Sequence, residues 1–250
     1  MSTGTILYLV EGKNERSINQ QIRSINSPDI LPPGHTIVYG TTIYGLFREV
    51  EKFIISGEQF DLFNILIGLE NRIENKSLEK ITKHDVSEIY LIFDYDPHAT
   101  NFSEEKIKKM CDIFNDELSI GKLFINYPMI EVFRHCYKLA NLDIPFIDTR
   151  CPLPKAELHT YKKYVSAFKP EVQNINCNDT IKKVFKQTIF KSNNMLHSEY
   201  KYPEKKSFIN QKSILDKQIS FVEEFQLLSG IPLLIHHYHR DEFLKEYLSI

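Results

Sequence analysis

Residues 6–15 read ILYLVEGKNE, from Ile6 to Glu15. An unbroken run of β-branched, aromatic and aliphatic residues stops abruptly on Glu11 and Gly12, and a second carboxylate follows at Glu15. A short continuous apolar run of this kind is the pattern of a strand covered on both faces, as in a parallel sheet. The event recurs at residues 89–98, IYLIFDYDPH, where the run stops on Asp94 and Asp96. Ligands of open α/β sheets bind beyond the carboxyl ends of the strands. If the two strands are neighbours, Glu11, Asp94 and Asp96 face one crevice.

Working outward, the first strand covers Thr5 to Val10. A helix follows from Asn14 to about Ser24, with Ile18, Ile22 and Ile25 at helical spacing. After a loop holding Pro28, Pro32, Pro33 and Gly34, residues 35–40 read as a second strand. A helix over Ile43 to Ser56 turns Leu46, Val50, Phe53 and Ile54 to one face. Residues 58–84 read as another helical stretch and then a polar loop. The third strand is Ile89 to Phe93. Ser103 caps a helix over Glu104 to Leu118, which Gly121 ends. Lys122 to Tyr127 is the fourth strand, and Pro128 opens a helix carrying Glu131, Phe133 and Tyr137. Strands alternating with helices predict an α/β, Rossmann-like fold: a mostly parallel sheet flanked by helices. From about Cys151 the texture changes. Lys162, Lys163, Lys182, Lys183, Lys186, Lys191, Lys201, Lys205 and Lys206 outweigh nearby acids, and helices are expected over 179–190 and 213–228. The expected division is a domain over 1–150 and a lysine-rich, mainly helical C-terminal appendage over 151–250.

The chain has 250 residues, long for one ordinary domain and short for two. With 42% hydrophobic and 26% charged residues it has the balance of a globular chain. No apolar run approaches the roughly 18 residues of a membrane span. The first residues lack the basic region and cleavage site of a signal peptide, so a cytoplasmic protein is expected. Cys111, Cys136, Cys151 and Cys177 form no CxxC pair, which argues against a zinc ribbon. The formal net charge of −2 means that nucleic-acid binding must come from a local patch. There is no GxxxxGK[ST] phosphate loop and no GxGxxG after the first strand, against a P-loop ATPase and a dinucleotide-binding enzyme.

Four acids in one crevice, Glu11, Glu15, Asp94 and Asp96, repel one another unless a cation sits among them. Mg²⁺ suits such a set, because it takes hard oxygen ligands and keeps several waters. In extended chain the two aspartates fall on one face, roughly 6–7 Å apart. Two ions about 4 Å apart can activate water and stabilise a leaving oxygen in phosphodiester cleavage. Each acid alone also has a plain reading as a turn residue or a helix-dipole partner; the sharper reading rests on their occurrence together.

The pairing of LVEGKNE at 9–15 with FDYD at 93–96 resembles the Toprim domain, most of all the branch of OLD-family nucleases and related antiphage effectors. The resemblance covers about residues 5 to 135. It implies a Rossmann-like Toprim fold, Mg²⁺ or Mn²⁺, Glu11 as general acid/base or ligand, Asp94 and Asp96 as ligands, and Glu15 as the second acid of a VEGxxE motif. NYPMIE at 126–131 is similar to a turn of the same effectors, which puts Glu131 beside the site. OLD proteins carry an ATPase domain that this chain lacks. What the resemblance implies is therefore a stand-alone metal-dependent endonuclease acting on RNA, such as tRNA, or on DNA. As a toxic effector of antiphage defence it would be restrained by a separate ATPase; a homodimer is a further expectation.

Lys122, Arg134 and His135 are candidate phosphate partners, each with a plain reading as a surface or helix residue. Tyr161, Tyr164, Tyr200 and Tyr202 are available for base stacking in the lysine-rich region. The cluster His236, His237, Tyr238, His239 has no carboxylate or cysteine frame and reads as packing. The alternative to a nuclease is a degenerate Toprim module that docks on an ATPase or nucleic acid without catalysis.

Overall fold

The computed structural model describes residues 4–25, 30–68, 81–168, 174–221 and 224–250. Among these, strands β1 (Thr5–Val10), β2 (Gly34–Val38), β3 (Val86–Asp94), β4 (Asn115–Asp116) and β5 (Gly121–Asn126) form one sheet in the order β2-β1-β3-β5-β4. All neighbours run parallel except β4, which pairs antiparallel with the start of β5. The expected α/β class is therefore observed. Leu7 to Val10 and Leu91 to Phe93 are wholly buried, as their uninterrupted apolar runs require. The expectation that β1 and β3 are neighbours holds, with Val10 beside Ile92. The chain leaves β1 for β2 on one side and reaches β3 on the other. The gap between β1 and β3 is therefore the topological switch point, where the helices part and a crevice opens.

Helices α1 (Lys13–Ile25), α2 (Ile43–Ser56), α3 (Leu62–Gly68), α4 (Glu104–Ile113) and α5 (Val132–Asn141) connect or follow the strands. Ile18 and Ile22 of α1 are buried, and so are Leu46 and Val50 of α2, whereas Ile54 is turned outward. Residues 69–80, part of the stretch expected to be helix and then loop, lie outside the described residues. The Ser103 cap is present, its hydroxyl accepting from Lys106 N at 3.4 Å.

Two expectations about this half need correction. The helix expected to run to Leu118 stops at Ile113, because Asn115 and Asp116 pair with Lys122 and Gly121 as an edge strand. Gly121 opens β5 with φ at 112°, and a Cβ there would lie 2.6 Å from Leu91 Cδ1. Pro128 does not open a helix either. It follows a cis peptide after Tyr127, and α5 begins only at Val132.

The second half adds α6 (Tyr161–Ser166), α7 (Asn178–His197), α8 (Gln211–Ser220), α9 (Gly230–Tyr238) and α10 (Asp241–Leu248). It is helical, as expected, but α7 runs seven residues beyond the expected end. The helix expected over 213–228 stops at Ser220. Beyond it Gln226 and Leu228 bridge to Arg150 and Tyr127 as short extended pairs. Residues of both halves share one buried cluster: α5 packs on α7, while α8 and α9 pack on β5. Gly230 lies so close to β5 that a Cβ would sit 3.1 Å from Ile125 O. Lys191, counted with the basic surface, is instead fully buried and donates to Thr149 O and, at 2.9 Å, to Thr149 Oγ1. Burial lowers its pKa to about 7. Among the described residues no helix is long and apolar enough to cross a membrane.

Candidate acidic site at the switch point

Glu11, Glu15, Asp94, Asp96 and Glu131 all line one cavity of about 580 Å³ at the carboxyl ends of β1 and β3. Glu11 continues β1, its backbone N–H donating to Ile92 O at 3.3 Å. Its Oε2 accepts from the backbone N–H of Asp94, also at 3.3 Å. The two strand ends expected to meet are thus joined by a hydrogen bond. Glu15, in the first turn of α1, reaches back so that its Oε2 accepts from Gly12 N at 3.0 Å. Asp94 closes β3 opposite Asn126 of β5, whose Nδ2 donates to Asp94 Oδ1 at 3.1 Å. The same Asn126 accepts at Oδ1 from Gly230 N at 2.9 Å, so its amide is fixed from the far side by the start of α9.

Only the first of the two aspartates, Asp94, lies on extended chain. Asp96 is past the strand at φ 32°, in the left-handed region that aspartate tolerates better than most residues, with its N–H donating to Pro128 O. Tyr95 between them is buried against Phe102, Tyr127 and Phe225, and its carbonyl accepts from Tyr44 Oη. This anchored tyrosine directs both aspartates to the cavity. Glu131 sits at the N-cap position of α5 without capping it; its Oε1 accepts from Asn14 Nδ2 at 2.9 Å.

The donors holding these acids are backbone and side-chain amides, which orient a carboxylate without cancelling its charge. Lys162 brings a cation to the rim, its Nζ 3.9 Å from Glu131 Oε1 on a mostly exposed side chain, and Lys13 also lines the cavity. Burial, and then the neighbouring Glu15 carboxylate, push Glu11 up to about 8; the bond from Asp94 N–H opposes this. Burial pushes Glu15 up to about 7, with Glu131 adding to the rise. Asp94 is held well above its ordinary range by burial, then by Glu15 and Glu11. The donor set fits a divalent cation in charge and hardness. Among the described residues no three His, Cys, Asp or Glu groups meet in a ready ligand arrangement.

Asn14, Asn126 and Lys162 were not foreseen as site residues. Asn14 carried a signal only as a helix cap, Asn126 stood in the NYPMIE turn without a role, and Lys162 stood only among the lysines of the second half. Conversely, Lys122 is bound to Asn115 O and lies 3.9 Å from Glu117, at the opposite end of β5 from the acids. His135 turns to Tyr161 Oη at 2.8 Å, and Arg134 does not line the cavity. Tyr161 is buried, while Tyr200 and Tyr202 engage Gln187 and Asp241 through their hydroxyls; of the four tyrosines Tyr164 alone stays as much as 37% exposed. His236 is buried, His237 bonds Glu117 and His239 bonds Ile30 O, consistent with packing. Cys111, Cys136 and Cys151 are buried free thiols and Cys177 is exposed. Comparison with family models, with curated proteins and with solved structures returned no match for this chain.

Proposed function

We propose that the chain is a metal-dependent nuclease of the Toprim type, hydrolysing phosphodiester bonds of nucleic acid. The observation that supports this best is the gathering of five carboxylates on one cavity, three of them kept from easy ionisation by burial and mutual repulsion. Such a site gains stability by taking a cation. Glu11, Glu15, Asp94 and Asp96 would be its ligands. Bound Mg²⁺ or Mn²⁺ supplies a water of lowered pKa and a counter-charge for phosphate oxygens.

The chain's own groups divide the remaining work. Glu11, held by Asp94 N–H, would pass protons to and from the reacting oxygens as general acid/base. Glu131, oriented by Asn14, borders the same space as a second proton carrier. Lys162 brings positive charge to the rim, where a substrate phosphate would approach. A role as toxic effector in antiphage defence, with tRNA or other RNA, or DNA, as target and a partner ATPase as restraint, rests on the resemblance of VEGKNE and DYD alone. The second reading is a Toprim module that docks on an ATPase or nucleic acid without cutting.

Incubating the purified chain with tRNA, single-stranded RNA and plasmid, with and without Mg²⁺ or Mn²⁺, separates the two. The expected result is metal-dependent cleavage that Glu11→Ala abolishes. Retention of nucleic acid without cleavage supports the module, and identical products from both proteins end the nuclease reading.

A further inference from the structure

Residues 158–168 read LHTYKKYVSAF and carry no carboxylate. Their middle is α6, which rests on the body through Tyr161 and Val165 and leaves Lys162, Lys163 and Tyr164 exposed. At about 100° per residue these three fan around the outer side of the helix. Lys162 lines the acidic cavity. Lys163, two positions from each buried residue, stands at the crest and has no ion pair among the described residues. Tyr164 falls on the far flank. There His135, Tyr161 and Phe168 brace its ring at centroid distances of 5.7, 6.3 and 5.3 Å, and it still keeps 37% exposure. Beyond it the Lys138 ammonium lies 3.8 Å from the ring centroid of Phe168.

The carboxylates beside this helix are recessed. Glu15, Asp94 and Glu131 are buried, so a phosphodiester has to enter the cavity to meet them. A duplex is stiff over lengths far beyond the mouth of such a cavity, whereas a single strand bends at each nucleotide. An unpaired base also has a free face, which a ring fixed in advance receives at little entropic cost. A paired base keeps both faces inside the stack. Ammonium groups meet phosphates as point charges and read no sequence.

We propose that α6 seats the nucleic-acid strand that runs into the acidic cavity, and that this strand is single. Lys162 and Lys163 take phosphates where the strand leaves the cavity across the helix, and Tyr164 stacks an unpaired base beyond them. Unpaired DNA and unpaired RNA share this chemistry. The seat rests on reading the acidic cavity as a nuclease site; it adds the strandedness of the substrate and the side from which it enters.

Fluorescence anisotropy of the full chain, with Ca²⁺ in place of Mg²⁺, reads binding apart from cutting. The probes are a labelled DNA strand of about 12 nucleotides, the RNA strand of the same sequence, the duplex of each, and an abasic strand of equal length. The single strands are expected to bind at least about tenfold more tightly than the duplexes. Tyr164→Ala weakens them about tenfold and leaves the abasic strand unchanged, while Tyr164→Phe keeps wild-type binding. Lys163→Gln weakens every single strand and lowers the slope of log affinity against log salt by about 0.7. If Tyr164→Ala lowers the melting temperature, Tyr164→Leu carries the same expectation, since it fills the space without an aromatic face. Duplex bound as tightly as single strand, undiminished binding by Tyr164→Ala, or an equal loss on the abasic strand overturns the seat. Cleavage with Mg²⁺ is read separately on the same proteins. Wild type that binds in this pattern and cuts nothing overturns the nuclease reading and leaves the strand seat standing; wild type that cuts without the pattern overturns the seat alone.

Discussion

Two cavities of similar size, about 580 and about 550 Å³, border the same sheet with opposite charge. One lies beyond the ends of β1 and β3 and gathers five carboxylates; the other flanks the start of β5 and gathers three lysines. The net charge of −2 conceals both. They differ further in how charge is answered. Amides hold Glu11, Glu15, Asp94 and Glu131, and burial with mutual repulsion raises the pKa of the first three. Two of the lysines already have acids close by, Lys212 with Asp112 and Lys122 with Glu117. What matters for binding is therefore the charge left after internal pairing, and by that measure the acidic cavity has the stronger demand for an outside partner.

The sharpest way to break this contrast is to remove one acid. Asp94→Asn or Glu11→Gln is expected to lower metal-dependent cleavage by roughly 10²–10⁴-fold, read from single-turnover rates. Second comes the support beneath the acids. Asn126 is fully buried and satisfies both Asp94 and Gly230 N. Asn126→Ala should cost about 2–3 kcal/mol in urea unfolding, because it strands buried groups; an unchanged midpoint would mean that solvent replaces the amide. Third is the pH dependence of Glu11. Its pKa rises from 4.5 to about 8 on folding. As pH climbs through that window the unfolded chain ionises first, so this group's contribution to stability is present in acid and lost toward pH 8. Glu11→Gln should then melt roughly 4–8 °C above wild type at pH 8 without divalent metal, and little differently at pH 4. Equal melting at both values would show that the acids do not repel. The smallest effect belongs to Lys162, which is mostly exposed. Lys162→Gln removes a cation beside Glu131, and titration with Mn²⁺ should show affinity a few-fold higher.

The parts legible in the sequence were those set by local patterning. The apolar runs at 6–10 and 89–93 gave their strands, and the acids ending them gave the site, because strand direction alone decides where such ends lie. α2 was legible to the residue, from Ile43 to Ser56. The end of α4 was not, since Asn115 and Asp116 take their structure from β5, a partner that no local pattern names. α9 escaped because it is buried on all sides: Ile231 to Ile235 show no polar face, and helical periodicity vanishes when both faces are covered. Asn126 and Lys162 escaped for a different reason. Their roles exist only through groups about 30 residues away, Asp94 and Glu131, which neither the NYPMIE turn nor the lysine count names.

The sealed amine of Lys191 carries a consequence of its own. Reagents that acylate amines reach the surface lysines of α7, such as Lys183, in the native chain, but find Lys191 only when the helix layer parts from Thr149. With a pKa near 7, the freshly opened side chain regains its ordinary basicity and takes up a proton. Mass-spectrometric labelling at this one position therefore provides a built-in clock for opening of the C-terminal layer, readable without any mutation.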